Sequence, residues 1–384
     1  MSKLSPNSPD IEKWLKLASA EGVGPVTFGK LLEHFGSPER ALGASVGELM
    51  KIDGVGSHTA ERIAASRDKF DAVAELELAQ KLGVWTVHLQ DERYPALLKQ
   101  IYDPPPVLYV KGTLTEADNL SMAIVGSRRC SLYGSEQASR FAHILAAAGF
   151  TICSGMACGI DTAAHQGAIV GGGRTIAVQG RGLADVFPPE NRKLFDKISE
   201  SGACISELPL RYEPLPENFP PRNRIIAGLS LGTIVIEADS RSGALITARA
   251  ALDYNREVMA VPGKIDSPNS RGTNRLIKEG AKLVDSVEDI MEALGHIGSR
   301  LNDYVGSVED TVSAKVEMPL FNISQLNLSD SEKSVFDCLN SDPVHIEQVI
   351  TDSQIPPGGV NAAIVSLRLK GLIKQLPGNM FVRK

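Results

Sequence analysis

Long hydrophobic runs and paired cysteines are both absent from this chain of 384 residues. No stretch approaches the roughly 18 consecutive apolar residues of a membrane-spanning helix, so we expect no membrane span. The first residues also lack the apolar segment of a signal peptide. The five cysteines are odd in number and include no Cys-x-x-Cys pair, which favours reduced thiols over a disulfide or zinc framework. These absences predict a cytoplasmic protein.

Metal-ligand spacings, catalytic signatures and aromatic residues are scarce as well. The seven histidines show no ligand spacing, and the chain contains neither a Walker lysine motif nor a Ser/His/Asp order of known spacing. We therefore expect no metal, no cofactor and no catalytic residue. Aromatic residues make up only 5% of the chain, so any nucleic-acid binding should involve little base stacking and show weak sequence preference.

Acidic residues outnumber basic ones, and the formal net charge is −6. Residues 285–317 hold eight acids and two bases, which accounts for the whole imbalance. Residues 126–193 and 222–275 each carry three more bases than acids. Because nucleic-acid affinity depends on local charge, the overall negative charge does not exclude a nucleic-acid partner.

The sequence Phe-Pro-Pro-Arg-Asn-Arg at 219–224 places cations at the start of a predicted helix. The two prolines predict that the helix begins only after Pro221. Arg222, Asn223 and Arg224 would then lie at the helix N-terminus, where free N–H groups and the helix dipole already favour an anion. Positive side chains at a positive terminus indicate a phosphate partner.

Three other segments combine a short apolar strand with a glycine or serine turn: residues 123–129, 152–165 and 233–249. Apolar runs that alternate with helical patterns predict a parallel sheet flanked by helices. In such sheets the loops after the carboxyl ends of the strands converge and bind ligands. Four loops of this kind, three of them with arginine at the turn, predict one shared anion site.

These motifs, in this order, resemble the DprA/Smf family of DNA-processing proteins. The resemblance rests on Val-Gly-Ser-Arg at 125–128, the glycine loop at 154–165, residues 219–230, residues 242–249 and Val-Pro-Gly at 261–263. It implies a Rossmann-like core that binds single-stranded DNA, forms a homodimer and loads the RecA recombinase during natural transformation. It also allows single-stranded DNA-binding protein as a partner. Cys158 stands where the family usually has arginine, which removes one phosphate contact.

Four regions follow from the pattern and the resemblance. We predict a SAM-like helix-hairpin-helix domain over 1–83, a Rossmann-like α/β core over 84–295, an acidic flexible linker over 296–327 and a winged helix over 328–384. The glycine hairpins of the first region either bind a backbone phosphate or only turn packed helices. The third helix of the winged helix has no basic stripe, so protein contact is favoured over reading of duplex DNA.

The resemblance and the loop positions give a set of candidate DNA-binding residues. The cations expected to neutralise phosphates are Arg128, Arg222 and Arg224, followed by Arg129, Arg249 and Lys264. The residues expected to offer backbone or side-chain donors are Gly126, Ser127, Gly155, Gly159, Asn223, Ser242 and Gly243. Phe219 either stacks on a base or packs against Pro220.

A homodimer interface is expected at the end of the core. Leu276, Ile277 and Leu283 belong to a final helix and strand, and an apolar patch at a sheet edge is typical of an interface. The alternative is that these residues form the last layer of the hydrophobic core.

An enzyme is the alternative function. The predicted core is similar to LOG-type nucleotide-processing enzymes, which hydrolyse nucleoside monophosphates and require a Pro-Gly-Gly-x-Gly-Thr loop. The chain lacks that glycine run but keeps Glu237 and Arg241 as an acid–cation pair. Asp161 and His165, four residues apart on one helix, could form a dyad, although an N-cap aspartate and a packed histidine are favoured. We expect binding rather than turnover.

Overall fold

A computed structural model of the chain describes residue 7 and residues 10–295, 328–340, 342–369, 372–376 and 379–383. The predicted acidic linker over 296–327 lies outside these residues. The described residues divide into two units, one that contains the N-terminal helices and a large sheet, called the body, and one that contains the C-terminal helices.

Six helices precede the sheet, and the first five contain the two predicted glycine hairpins. Their bounds are α1 Ile11–Ala18, α2 Pro25–Phe35, α3 Pro38–Gly43, α4 Val46–Leu49, α5 Ser57–Ser66 and α6 Ala72–Leu82. Gly24 and Gly56 immediately precede α2 and α5, where an extended glycine begins each helix. Trp14, Phe28 and Leu31 are buried among these helices.

A nine-stranded, mostly parallel sheet forms the centre of the body. Its strands are β1 Val84–His88, β2 Val107–Gly112, β3 Ser121–Val125, β4 Thr151–Ser154, β5 Thr175–Val178, β6 Ala203–Ser206, β7 Gly232–Val235, β8 Glu257–Ala260 and β9 Lys282–Leu283. The strand order is β1-β2-β6-β5-β4-β3-β7-β8-β9, and only the pairs β1–β2 and β2–β6 are antiparallel. This architecture confirms the predicted parallel sheet.

Eight helices accompany the strands: α7 Ala96–Lys99, α8 Leu132–Ala147, α9 Ile160–Val170, α10 Arg192–Ser201, α11 Phe219–Gly228, α12 Ala244–Asp253, α13 Arg271–Lys278 and α14 Val287–Ala293. The chain builds the sheet outward from β3, first through β4 to β6 and then on the other side through β7 to β9. The strand order therefore reverses at β3, and a crevice at this switch point is where open α/β sheets bind ligands.

The N-terminal helices share a hydrophobic cluster with one face of the sheet. The cluster joins Trp14 and Phe28 to Val107 and Tyr109 on β2. The Trp14 ring also stacks on the His88 ring, with their centroids 4.3 Å apart. Because this core is continuous, the N-terminal helices pack directly against the sheet and share one hydrophobic core with it.

The C-terminal unit is a winged helix, as predicted. It contains α15 Asp330–Asp337, α16 Ile346–Ser353 and α17 Pro357–Leu369, with strands β10 Val344–His345, β11 Ile373–Leu376 and β12 Met380–Arg383 in the order β10-β12-β11. A capping box begins α15, since the Ser329 hydroxyl accepts from the Glu332 N–H and the Glu332 carboxylate accepts from the Ser329 N–H. Val335, Val349, Leu367 and Phe381 lie in its core.

Candidate nucleic-acid interface

A cavity of about 730 Å³ opens beyond the carboxyl ends of β3 and β7, at the switch point of the sheet. Its lining comes mainly from the turn after β3, the glycine loop after β4, the start of α11 with the segment before it, the β7–α12 loop and the loop before α13. Of the predicted DNA-binding residues, these line the cavity: Gly126, Ser127, Arg128, Arg129, Phe219, Arg222, Asn223, Ser242 and Gly243. The converging loops that the sequence predicted therefore do form one site.

Helix α11 begins earlier than predicted. It starts at Phe219 and takes both prolines into its first turn, because that turn has no intrahelical acceptor for their missing N–H groups. Arg222 therefore lies one turn into the helix rather than at its free N-terminus. The prediction that cations cluster at the free end of this helix is therefore wrong. Arg222, Asn223 and Arg224 have different environments.

The Arg222 side chain is buried, with only 4% of its surface exposed. Its guanidinium donates hydrogen bonds to the backbone oxygens of Gly155 and Val178, beyond β4 and at the end of β5. Burial lowers the pKa of Arg222 to about 10, so the group stays charged at neutral pH. Arg222 therefore joins two strand ends and contributes a fixed positive charge at the floor of the cavity.

Asn223 links α11 to the β7–α12 loop. Its side-chain amide donates to the Gly243 backbone oxygen at 3.2 Å, and its side-chain oxygen accepts from the Arg222 Nε at 3.2 Å. The residue is buried, so it organises the wall of the cavity as well as lining it.

Asp161 organises the glycine loop after β4. The N-cap of α9 is Gly159, so the expectation that Asp161 would be the N-cap is wrong. The Asp161 carboxylate instead accepts the N–H groups of Gly155 at 3.1 Å and Ala157 at 3.3 Å. The Gly155 N–H that was expected to bind phosphate is therefore occupied. Burial raises the pKa of Asp161, an effect opposed by the nearby Arg222.

His165 is buried between α9 and the sheet and does not line the cavity. Its Nδ1 lies 2.7 Å from the Thr175 hydroxyl, and burial lowers the pKa of His165 to about 3. The imidazole is therefore neutral, as the favoured interpretation of a packed histidine required.

The exposed cations of the cavity are Arg128, Arg129 and Arg241, and its lining also includes two acids, the half-buried Asp239 and the buried Asp161. The Arg128 guanidinium carbon lies 5.0 Å from the centre of the Phe219 ring, within the range of a cation–π contact. The Phe187 ring lies 5.7 Å from the same ring. A Cβ atom at position 180 would come within 2.9 Å of Phe219 Cδ1, so Gly180 leaves the space that the ring occupies.

Arg224 lies outside the cavity, in a partly buried ion-pair network. It contacts the Glu207 carboxylate at 2.5 Å and the Asp103 backbone oxygen at 2.6 Å, and its side chain is 11% exposed. The Tyr254 hydroxyl donates to the side-chain carboxylate of Asp103 at 2.6 Å. Burial raises the pKa of Glu207, and Arg224 opposes that shift. In this structure Arg224 therefore joins α11 to β6 and to the segment before β2.

Besides Gly155, three further predicted residues lie outside the cavity lining. Gly159 packs against the backbone of Ser127 and Arg128, Arg249 is exposed on α12, and Lys264 is exposed after β8. Sequence reasoning also left out several lining residues, among them Asp239, Arg241 and Asn269. Arg241 was considered only as a partner of Glu237, although its position in a Ser-Arg-Ser-Gly turn after a buried strand was the same signal that marked Arg128.

Three family profiles match successive parts of the chain. The profile of DNA recombination-mediator protein A matches residues 85–295, which is more than half of the chain. A profile of SAM-like helix-hairpin-helix tandems matches residues 15–68, and one of the DprA winged helix domain matches residues 324–379. The chain belongs to the DprA/Smf family.

Individual relatives agree with this assignment. Protein Smf of Synechocystis sp. is 34% identical over 97% of this chain and 98% of its own length. DNA processing protein DprA of Bacillus subtilis is 41% identical over 55% of this chain and 72% of its own. The X-ray structure of DNA processing protein A from Streptococcus pneumoniae matches with a TM-score of 0.64 and 36% identity, covering 73% of this chain and 97% of that one.

The DprA/Smf assignment confirms the resemblance that the motifs predicted, and it identifies the chain as a member of a family of DNA-processing proteins. Among the described residues, no group of three or more His, Cys, Asp or Glu side chains could hold a metal ion. Within the same part of the chain, no helix is both long and apolar enough to cross a membrane.

The residues predicted for a dimer interface differ in exposure. Leu276 is only 8% exposed and belongs to the hydrophobic core, and Ile277 is partly buried against that core. Leu283, on the two-residue edge strand β9, is 48% exposed. The expectation of one contiguous exposed patch is therefore wrong for Leu276, because α13 turns this residue inward.

Proposed function

We propose that this DprA/Smf protein binds single-stranded DNA in the switch-point cavity without strong sequence preference and delivers it to the RecA recombinase. The observation that carries the proposal is the ring of exposed arginines, Arg128, Arg129 and Arg241, around a cavity with the buried Arg222 at its floor. Phosphates supply the charge that such a ring attracts, and the phosphate backbone is common to every sequence.

The cavity walls add neutral donors to the arginines. Ser127 and Ser242 line the cavity and carry hydroxyl groups that can donate to phosphate or sugar oxygens. Phe219 offers a half-buried ring beside Arg128 on which one base could stack. The combination of cations, small polar groups and one aromatic ring fits backbone tracking with a single stacking position.

A preference for single strands follows from the shape of the site. A concave cavity of about 730 Å³ between converging loops has room for individual nucleotides that turn away from the backbone. Paired bases cannot enter such a site without unpairing, which costs a few kcal/mol. Duplex DNA should therefore bind mainly through the outer arginines, and more weakly.

RecA loading and the homodimer are the finer parts of the proposal, and both rest on the family resemblance. Two cavities in one dimer would hold a strand at two points and raise the effective affinity. The winged helix and the glycine hairpins would then act as accessory contacts to protein or DNA.

Binding of labelled oligonucleotides to the full-length protein tests the proposal. We expect a single strand to bind at least tenfold more tightly than a duplex of the same sequence, with little change between mixed and homopolymeric strands. Equal affinity for duplex and single strand would contradict it. In the same preparation, adding RecA should give faster filament growth on strands covered by a single-stranded DNA-binding protein.

The alternative function, hydrolysis of nucleoside monophosphates, needs a carboxylate that reaches the substrate. Glu237 is buried, its backbone oxygen accepts the Ser127 N–H at 2.7 Å, and its carboxylate lies 3.4 Å from the Asn269 amide. These contacts favour a role for Glu237 in holding the loops together. Release of free base from a nucleoside monophosphate, lost in Glu237→Gln, would support the enzyme instead.

A further inference from the structure

An exposed pair of tyrosine rings lies outside the cavity. Tyr102 precedes β2 and is 68% exposed, and its ring centroid lies 5.4 Å from that of Tyr254, which directly follows α12. Tyr254 is fixed by the hydrogen bond from its hydroxyl to Asp103. A large exposed ring on a fixed aromatic neighbour is a ready stacking surface, and neither residue takes part in the cavity.

Helix α12 connects the cavity to this pair. Its first turn lines the cavity through Ala244, Ile246 and Thr247, and Tyr254 follows its last residue. At about 1.5 Å per residue, the tyrosine pair lies roughly 15 Å along the helix from the cavity wall. A strand that leaves the cavity along α12 reaches the pair within a few nucleotides.

The outer face of α12 carries a cation between the two ends. Arg249 lies one turn after Ile246, on the same face, and both side chains are exposed. Arg249 is one of the predicted phosphate contacts that the cavity does not include. A strand that crosses this face would bring a phosphate close to Arg249. Arg249 would then contribute to binding although it does not line the cavity.

Charges of both signs surround the tyrosine pair. Lys99 is exposed close by in sequence, and Arg256 is held beside the pair by hydrogen bonds to the Leu97 backbone oxygen and the Gln100 side chain, both at 3.1 Å. Two exposed acids, Asp253 and Glu257, lie next to them in the chain. Asp103, which accepts from the Tyr254 hydroxyl, is a third acid beside the three cations Lys99, Arg249 and Arg256, and such mixed surroundings suit a stacked base better than a row of phosphates.

We propose that Tyr102 and Tyr254 form a second contact for single-stranded nucleic acid, in which a base of the strand leaving the cavity along α12 stacks on Tyr102. This inference rests on the proposed function, because it takes the cavity as the first contact. The occupant is the base of a single strand, since a stacked duplex base has no free face for the ring.

Two oligonucleotide lengths separate the second contact from the first. A tetranucleotide fills the cavity only, whereas a strand of about 15 nucleotides also covers α12. Tyr102→Ala should weaken binding of the longer strand by roughly 5- to 150-fold, the range expected for loss of one base–aromatic stack, and should leave binding of the tetranucleotide unchanged. Tyr102→Phe keeps the ring and should bind both lengths like the wild type.

The outcomes distinguish this inference from the proposed function. Unchanged binding of the longer strand by Tyr102→Ala, while Arg128→Glu weakens both lengths, overturns the second contact and leaves the cavity in place. Equal loss for both lengths also overturns it, because the ring would then act on the cavity itself. If Arg128→Glu changes binding of neither oligonucleotide, the proposed function is contradicted, and the second contact that rests on it is contradicted as well.

Discussion

The arginine residues in and around the cavity fall into two groups. One group is exposed in the cavity, and the other makes contacts inside the protein. Arg128 and Arg241 extend into the cavity from loops, whereas Arg222 and Arg224 extend inward from α11 and bond to backbone oxygens and carboxylates. The sequence predicted that arginines gather at one site. It could not separate the groups, because the separation depends on where α11 begins and on acids as distant in sequence as Asp103.

Replacement of Arg224 by glutamine should destabilise the fold rather than remove a phosphate contact. The change leaves Glu207 and Asp103 without their partly buried counter-ion, so the cost should lie between that of an exposed pair, below about 1 kcal/mol, and the roughly 3–5 kcal/mol of a fully buried pair. Urea unfolding at neutral pH measures this loss. Arg211→Gln, at an exposed arginine of the same core, is the matched control and should change stability by less than about 0.5 kcal/mol.

The loss in Arg224→Gln should depend on pH in a direction set by Glu207. The pKa of Glu207 is already raised above its ordinary value by burial, and loss of Arg224 raises it further. The folded variant therefore binds a proton that the unfolded chain releases, so its stability increases as the pH falls through this raised pKa toward the ordinary value. A deficit that stays constant from pH 7 to about pH 5 would contradict this role of Glu207.

At the scale of elements, the glycine loop before α9 fixes the turn that carries Arg128. Gly159 has a φ of +81°, and a Cβ atom there would overlap the backbone of Ser127 and Arg128. The sequence predicted a glycine loop after β4 from the local pattern alone. It did not predict that this loop supports its neighbour across the sheet, because that contact requires the β3–β4 pairing.

Gly159→Ala should therefore weaken both folding and DNA binding. Gly172→Ala is the matched control, because Gly172 also has a positive φ, +70°, but has no atom within 4 Å of its Cβ position. Each change should cost about 1 kcal/mol or more of stability through backbone strain. Only Gly159→Ala should also reduce single-strand affinity, measured at a temperature where both variants are folded. Equal affinity of the two variants would show that the loop does not position Arg128.

At the scale of the whole molecule, local patterns predicted the type of each region better than the relations between them. The parallel sheet, the glycine hairpins and the winged helix were predicted because each has its own periodicity and turn residues. The continuous core between the N-terminal helices and β2 was not predicted, because it brings Phe28 and Tyr109, which are distant in sequence, into one hydrophobic cluster. The inward position of Leu276 has the same cause.

The homodimer is also a prediction at this scale. Leu283 is the exposed member of the predicted interface, so Leu283→Glu should yield a folded monomer with weaker binding to long strands, through loss of avidity. Val170→Glu, at an apolar residue that is 59% exposed at the end of α9, should remain a dimer. Sedimentation of both variants decides this, and a wild type that sediments as a monomer at micromolar concentration would contradict the dimer.

The salt dependence of single-strand binding tests the central claim most directly. The logarithm of the binding constant should fall linearly with the logarithm of salt concentration, and each lost phosphate contact should reduce the steepness by about 0.7. We expect that reduction in Arg128→Glu, about twice as much in Arg128→Glu with Arg241→Glu, and none in Arg211→Glu. Parallel lines for the wild type and the double variant would mean that DNA does not bind in the switch-point cavity.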